Sequence, residues 1–202
     1  MSDDPGLIVP FVVSEGIKLT SPFGMRNDPG NVSKVANHNG VDFGMPVGTP
    51  LYAPSDGIVH ESILSGGSSG RYIVIYHPPM NSSGLGAWRT AFAHLSKSLV
   101  TKGQSVSKGQ LIGLSGGAKG SEGAGSSQGP HLHFTVKKLV DGKHVTVDPL
   151  QYLKIKTPIP VKSTLAKSFG DELEKNTSNW KTPVIIASSV VSVFALYKIF
   201  SR

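Results

Sequence analysis

The chain has 202 residues, 38% of them hydrophobic, with a formal net charge of +7, 24 glycines, 14 prolines and no cysteine. That length holds one domain of about 150 residues and an appendage. Without cysteine there are no disulfides and no thiolate metal sites, so any metal must be held by His, Asp or Glu. The Gly and Pro content points to many turns joining short strands, hence to a mainly β, antiparallel domain. The basic excess is uneven: residues 1–152 carry 12 Lys/Arg against 10 Asp/Glu, residues 153–181 carry 6 against 3, and residues 182–202 carry 2 against none. No basic patch interleaved with aromatics precedes residue 153, which argues against nucleic acid as a partner.

The N-terminal segment 1–19 opens with the acidic Met1-Ser2-Asp3-Asp4-Pro5, and its apolar run from Leu7 to Val13 is broken by Pro10. It lacks the basic start and continuous apolar stretch of a secretory signal, so export by a cleaved signal is not expected. From there to Leu150, short apolar runs alternate with Gly, Pro, Asn and Ser. Period-two alternation, as in Arg71-Tyr72-Ile73-Val74-Ile75-Tyr76, predicts strands over 40–44, 51–53, 57–63, 71–76, 89–94, 110–114, 131–138 and 144–147. No helical periodicity precedes residue 160. Residues 115–130 predict a long Gly/Ser loop, and loops of that length are usually functional or unstructured. Past Asp148-Pro149-Leu150, residues 154–181 read as a basic linker with one short helix at 164–176, and residues 182–200 as a single membrane-spanning helix. The 16 uncharged residues between Lys181 and Lys198 make about 24 Å of helix. They cross a hydrocarbon core of about 30 Å only if Lys198 snorkels and Ile199-Phe200 stay buried. Trp180 and Tyr197 stand where interfacial aromatics belong. The alternative is a C-terminal helix or strand docked on the domain.

In Gly129-Pro130-His131-Leu132-His133-Phe134 a turn signal leads into a β-branched and aromatic run. In a strand, His131 and His133 share one face while Leu132 and Phe134 take the other. Two imidazoles on one face suit a metal site, one as ligand and one acting on water at the metal. Seven histidines in the chain make a chance His-x-His common, so the pair needs partners. His38-Asn39-Gly40-Val41-Asp42 supplies a histidine and a carboxylate that share a face if the segment is extended. With one histidine of the later pair they make three ligands and leave a position for water, the composition of a hydrolytic rather than a structural zinc site. His94 ends the apolar run Arg89-Thr90-Ala91-Phe92-Ala93, where a neutral imidazole can serve as acid or base. Each of these residues alone would be an ordinary surface or strand-end residue; their company carries the reading. His60, His77 and His144 have no such company and receive no role.

These stretches resemble the zinc endopeptidases of the lysostaphin and LytM type, peptidase family M23, which cut peptide bonds in bacterial peptidoglycan. The likeness runs through Ser21-Pro22-Phe23-Gly24-Met25-Arg26, His38 to Asp42 with Pro46-Val47-Gly48-Thr49-Pro50-Leu51-Tyr52-Ala53, and Asp56-Gly57-Ile58-Val59. It continues through Tyr72 to His77, Ala93-His94-Leu95, Val106 to Gly113, Gly129 to Phe134 and Asp148-Pro149-Leu150, in order over about residues 20–153. The resemblance implies a peptidase domain over 20–153 with an antiparallel β fold and a groove walled by loops at 27–37 and 115–130. It implies zinc held by His38, Asp42 and His133, with His94 and His131 as the catalytic histidines. The implied substrate is a peptide stem or bridge of peptidoglycan. A D-alanyl–diaminopimelate cross-link and a Gly-Gly bond both stay open, with the short loops favouring the first. Some members place a tyrosine just ahead of the first zinc histidine as an oxyanion donor; residues 31–37 hold none, and Arg26 and Asn37 stand as candidates. The alternatives are a degenerate domain that binds the wall without cutting it, and a structural envelope or virion membrane protein. The presence of all five site residues favours activity. With the C-terminal apolar run, the expected location is a membrane, single-pass, with the domain facing the wall. The settings are a phage particle, at entry or lysis, or a bacterial remodelling system.

Overall fold

The computed structural model describes residues 5–14, 16–28, 31–81 and 86–154. The linker beyond residue 154, the short helix expected at 164–176 and the membrane-spanning helix expected at 182–200 lie outside the described residues. Among the described residues no helix is long and apolar enough to cross a membrane.

The strands are β1 (Leu7–Ile8), β2 (Lys18–Ser21), β3 (Gly24–Asp28), β4 (Asn31–His38), β5 (Val41–Gly44), β6 (Pro50–Tyr52), β7 (Gly57–Ile63), β8 (Tyr72–Met80), β9 (Gly86–Ala93), β10 (Leu95–Ser98), β11 (Ser105–Val106), β12 (Leu111–Ser115), β13 (His131–Val140), β14 (Lys143–Val147) and β15 (Leu153–Lys154). An eight-stranded antiparallel sheet runs in the order β11-β7-β8-β9-β13-β5-β2, with β14 paired to β13 beside that path. A three-stranded sheet runs β10-β12-β6, and β3 and β4 form a separate hairpin. β1 and β15 pair in parallel, the one departure from an antiparallel pattern among the described strands.

The alternation along β13 organises the molecule. Leu132, Phe134 and Val136 are fully buried and join Ile73, Ile75 and Phe92 of the large sheet with Leu51, Leu95 and Ile112 of the small one in a single core. Phe92 and Phe134 meet edge to face, with ring centroids 5.1 Å apart. Each such side chain stabilises the fold by about 1.5–3 kcal/mol through apolar burial. The intervening residues His131, His133, Thr135 and Lys137 therefore take the opposite face, where they line a cleft of about 1000 Å³.

Each of the eight predicted strands is present, with ends displaced by up to four residues. Of the segment 27–37, expected as a loop, residues 27–28 and 31–37 instead belong to the paired strands β3 and β4. The segment's sequence shows no period-two apolar alternation, and the two strands pair from Gly24↔His38 to Asp28↔Asn31. β1, β2, β10, β11 and β15 are two to four residues long, too short for a period to register.

Candidate metal centre

β13 and β5 pair so that His133 stands opposite Asp42, while β9, on the other side of β13, brings Ala93 opposite His133. His94 thus leaves the sheet beside the pair. Read as one extended strand, His38 and Asp42 would share a face. In the structure they belong to two strands of different sheets, and they converge because the chain bends at Asn39-Gly40. Gly40 is required there for space: a Cβ would lie 2.5 Å from the Phe134 carbonyl oxygen and 2.9 Å from Cε1 of His133.

Asp42 Oδ1 lies 3.2 Å from His38 Nε2 and 2.8 Å from His133 Nδ1, and the two nitrogens are 3.1 Å apart. A tetrahedral zinc with bonds of 2.0–2.1 Å has ligand–ligand edges of about 3.3 Å, so the spacing fits such an ion. The outer hydrogen bonds decide which atoms face inward. His38 donates its Nδ1–H to the Pro22 carbonyl at 2.7 Å, leaving Nε2 for the cluster. His133 donates its Nε2–H to Asn39 Oδ1 at 3.1 Å, with Thr135 Oγ1 at 3.3 Å, leaving Nδ1. Two nitrogens and an anionic oxygen in contact require a cation between them, either a proton or a metal, and two imidazoles with a carboxylate are a zinc donor set. Burial alone would raise the Asp42 carboxyl. The hydrogen bonds and charges of His133 and His38 outweigh it and hold Asp42 well below the usual carboxylate range. Arg26 adds a contact of 3.2 Å from Nη1 to the other oxygen, Oδ2, while also donating to Ser21 Oγ.

The two remaining histidines stand at the rim of this cluster. His94 has φ 60°, a left-handed conformation uncommon for a residue with a side chain. Its main-chain N–H donates to Ser69 O at 2.9 Å and its Nδ1–H to Ala124 O at 2.8 Å. Burial, aided by the charge of His131 and opposed by the Ala124 hydrogen bond, pushes its pKa down to about 4, so the ring is neutral at pH 7 with Nε2 free. His131 donates Nδ1–H to Gly129 O at 2.8 Å, beside Ser127 Oγ at 3.1 Å, and its Nε2 lies 3.8 Å from Asp42 Oδ1. The rings of His94 and His131 have centroids 4.8 Å apart. The Gly/Ser loop that carries these acceptors is tied down. Ser127 Oγ donates to Gly117 O at 2.7 Å, and buried Arg71 donates to Glu122 and to the Ser96 carbonyl.

All five residues singled out in the sequence are therefore brought together. Asn37 is exposed on β4 opposite Met25 and does not line the cleft, and Arg26 is engaged with Asp42. The orienting partners were missed. Asn39 sits beside His38 and Thr135 lies two residues after His133 on the same face, so both had a positional signal; the carbonyls of Pro22, Ala124 and Gly129 had none. His77 is structural: it is buried, donates Nδ1–H to Asp56 O and accepts from Thr90 Oγ1, both at 2.8 Å.

Comparison with known proteins shows the family. The chain is 38% identical over 157 residues to the peptidoglycan DD-endopeptidase ShyA of Vibrio cholerae serotype O1, covering 78% of this chain and 31% of that protein. It is 37% identical over 118 residues to the glycyl-glycine endopeptidase ALE-1 of Staphylococcus capitis, covering 58% of this chain and 29% of that one. A crystal structure of a zinc-containing peptidase from V. cholerae matches with a TM-score of 0.54 at 34% identity, over 75% of this chain and 41% of that chain. The chain thus spans less than a third of the length of these two curated relatives. The model of peptidase family M23 matches residues 36–149, a stretch that holds His38, Asp42, His94, His131 and His133, and the chain belongs to that family.

Proposed function

We propose that the chain is a zinc-dependent endopeptidase that hydrolyses peptide bonds in bacterial peptidoglycan, with His38, Asp42 and His133 as metal ligands and His94 and His131 as catalytic histidines. One observation supports this most: two imidazoles turn their free nitrogens onto one carboxylate oxygen, with two further imidazoles at the rim and an open cleft beside them. Zinc supplies Lewis acidity, which makes water acidic near neutral pH and polarises a carbonyl. The Ala124 and Gly129 carbonyls fix the Nδ1–H of His94 and His131, so each ring turns Nε2 to the cleft. One ring takes the proton of the attacking water at Nε2 while the other orients that water through its own Nε2, and the imidazolium so formed donates to the developing oxyanion and passes its proton to the leaving amine.

The substrate class comes from the relatives' names. ShyA, which this chain matches over 78% of its length against 58% for ALE-1, favours a DD cross-link over a Gly-Gly bond. The same reading extends, on sequence alone, to a membrane anchor at 182–200 with the domain facing the wall, and to delivery by a phage particle. Flotation with lipid vesicles and detection in purified virions test those two points.

The site is tested by single substitutions. His133→Ala should lose both zinc and wall hydrolysis. His94→Ala and His131→Ala should keep zinc and lose about 10²–10⁴-fold in turnover. Full wall hydrolysis by His133→Ala would overturn the assignment, and wall binding without hydrolysis by the intact chain would favour a non-catalytic domain.

A further inference from the structure

We propose that Arg89 and Lys137 form a second recognition site on the cleft floor, a carboxylate-binding pair that anchors an acidic group of the peptide substrate about four residues from the scissile bond. This assignment rests on the endopeptidase reading above.

The cleft continues from the metal centre along β9 and β13. Small residues, Ala93, Ala91 and Thr135, form its floor next to His133, and Arg89 and Lys137 follow. Arg89 and Lys137 are directly opposite each other in the β9–β13 ladder. Like charges in that position repel, so the fold tolerates a local cost there. Neither forms an ion pair with a described carboxylate, and Arg89 Nε is buried without a hydrogen-bond partner. Burial and the charge of Arg89 push the Lys137 ammonium below its usual value, which records the same excess of positive potential. The other carboxylate lining the cleft besides Asp42, Glu61, is engaged by the Tyr72 hydroxyl and lies 3.7 Å from His60.

An anion from outside would neutralise the charge of this pair. A guanidinium fork grips a carboxylate through two parallel hydrogen bonds, and an adjacent ammonium adds a point charge. Lys137 lies four residues along β13 from His133, about 13 Å at the strand rise. An extended peptide with its scissile carbonyl at the metal centre would place a carboxylate about four residues away over Arg89 and Lys137. Peptide stems with free carboxylates fit this requirement; an uncharged polyglycine bridge does not.

The test uses the full chain with purified diaminopimelate-type peptidoglycan, either native or with its carboxylates converted to amides. Arg89→Gln with Lys137→Gln should raise KM on native wall about 10–100-fold with little change in kcat and unchanged zinc content. On amidated wall, wild type and variant should perform alike. Equal losses on both walls, or no loss on either, would overturn the pair. If Arg89→Gln lowers the melting temperature, the Lys137→Gln single variant carries the comparison. Co-sedimentation with insoluble wall reads the site without turnover: if the wild type releases no fragments but binds native wall more tightly than amidated wall, the endopeptidase reading fails and the anion site stands.

Discussion

Replacing Gly40 by alanine probes how the fold holds its ligands. The backbone at Gly40 is not in the left-handed region, so alanine meets no conformational penalty and the objection is space alone. The new methyl would lie 2.5 Å from the Phe134 carbonyl oxygen and 2.9 and 3.0 Å from Cε1 and Nε2 of His133. Phe134 pairs with Val41 across β13 and β5, so the carbonyl moves only if that ladder opens. The His133 ring is the softer neighbour, and displacing it breaks its 3.1 Å hydrogen bond to Asn39 and swings Nδ1 away from Asp42. Overpacking of this kind costs about 1–3 kcal/mol. A ligand pushed off its orienting partner loses about 10–100-fold in metal affinity. Gly44→Ala, on β5, is the matched control: its methyl meets Thr20 Cγ2 at 2.6 Å, the end of an exposed side chain that rotates at the cost of its 3.1 Å hydrogen bond to the Asp42 carbonyl, and the nearest backbone atom, Lys18 O, lies at 3.8 Å. Urea unfolding of the metal-free forms and zinc titration against a chromophoric chelator separate stability from affinity. Gly40→Ala should lose both, and Gly44→Ala should keep its zinc affinity. Wild-type affinity in Gly40→Ala, or equal loss in the two variants, would refute the reasoning.

Asn39→Ala should lower zinc affinity only about 10-fold, because Thr135 Oγ1 at 3.3 Å can take over the His133 N–H; adding Thr135→Val should bring the loss near 100-fold. The same chelator titration checks this, and strictly additive small effects would contradict it. Burial pushes His77 down to about 4 against 6.5 in an unfolded chain, so the folded form binds fewer protons between those values. Its contribution to stability is fully present above pH 6.5 and is lost as pH falls toward 4. From pH 6.5 to 5 that loss is about 2 kcal/mol. Urea midpoints at the two pH values should therefore fall further in the wild type than in His77→Gln, and an equal fall would exclude His77 as the cause.

β13 was legible because its alternating faces do different work: Leu132 and Phe134 fill the core while His131 and His133 face the cleft. The same rule places Lys137 on the histidine face. The convergence of His38 and Asp42 was legible as a spacing but not as a geometry, since a bend at Gly40, rather than one straight strand, brings them together. What brought Asp42 against His133 was the pairing of β5 with β13, a contact between residues some ninety positions apart that leaves no local period. The orienting acceptors were least visible, because main-chain carbonyls such as those of Pro22 and Ala124 have no side-chain signature. The β3–β4 hairpin was missed for a related reason: in Asn31-Val32-Ser33-Lys34-Val35-Ala36-Asn37 the apolar residues do not fall at every second position.

The central claim is a zinc-dependent cut in a wall peptide, and mass spectrometry of released fragments tests it most directly. The full chain, loaded with zinc or stripped by a chelator, is incubated with diaminopimelate-type and pentaglycine-type peptidoglycan. The account predicts fragments from the diaminopimelate wall whose masses show one water added per D-alanyl cross-link opened, with release abolished by the chelator and restored by zinc. No fragments from either wall, with zinc shown to be bound, would contradict it.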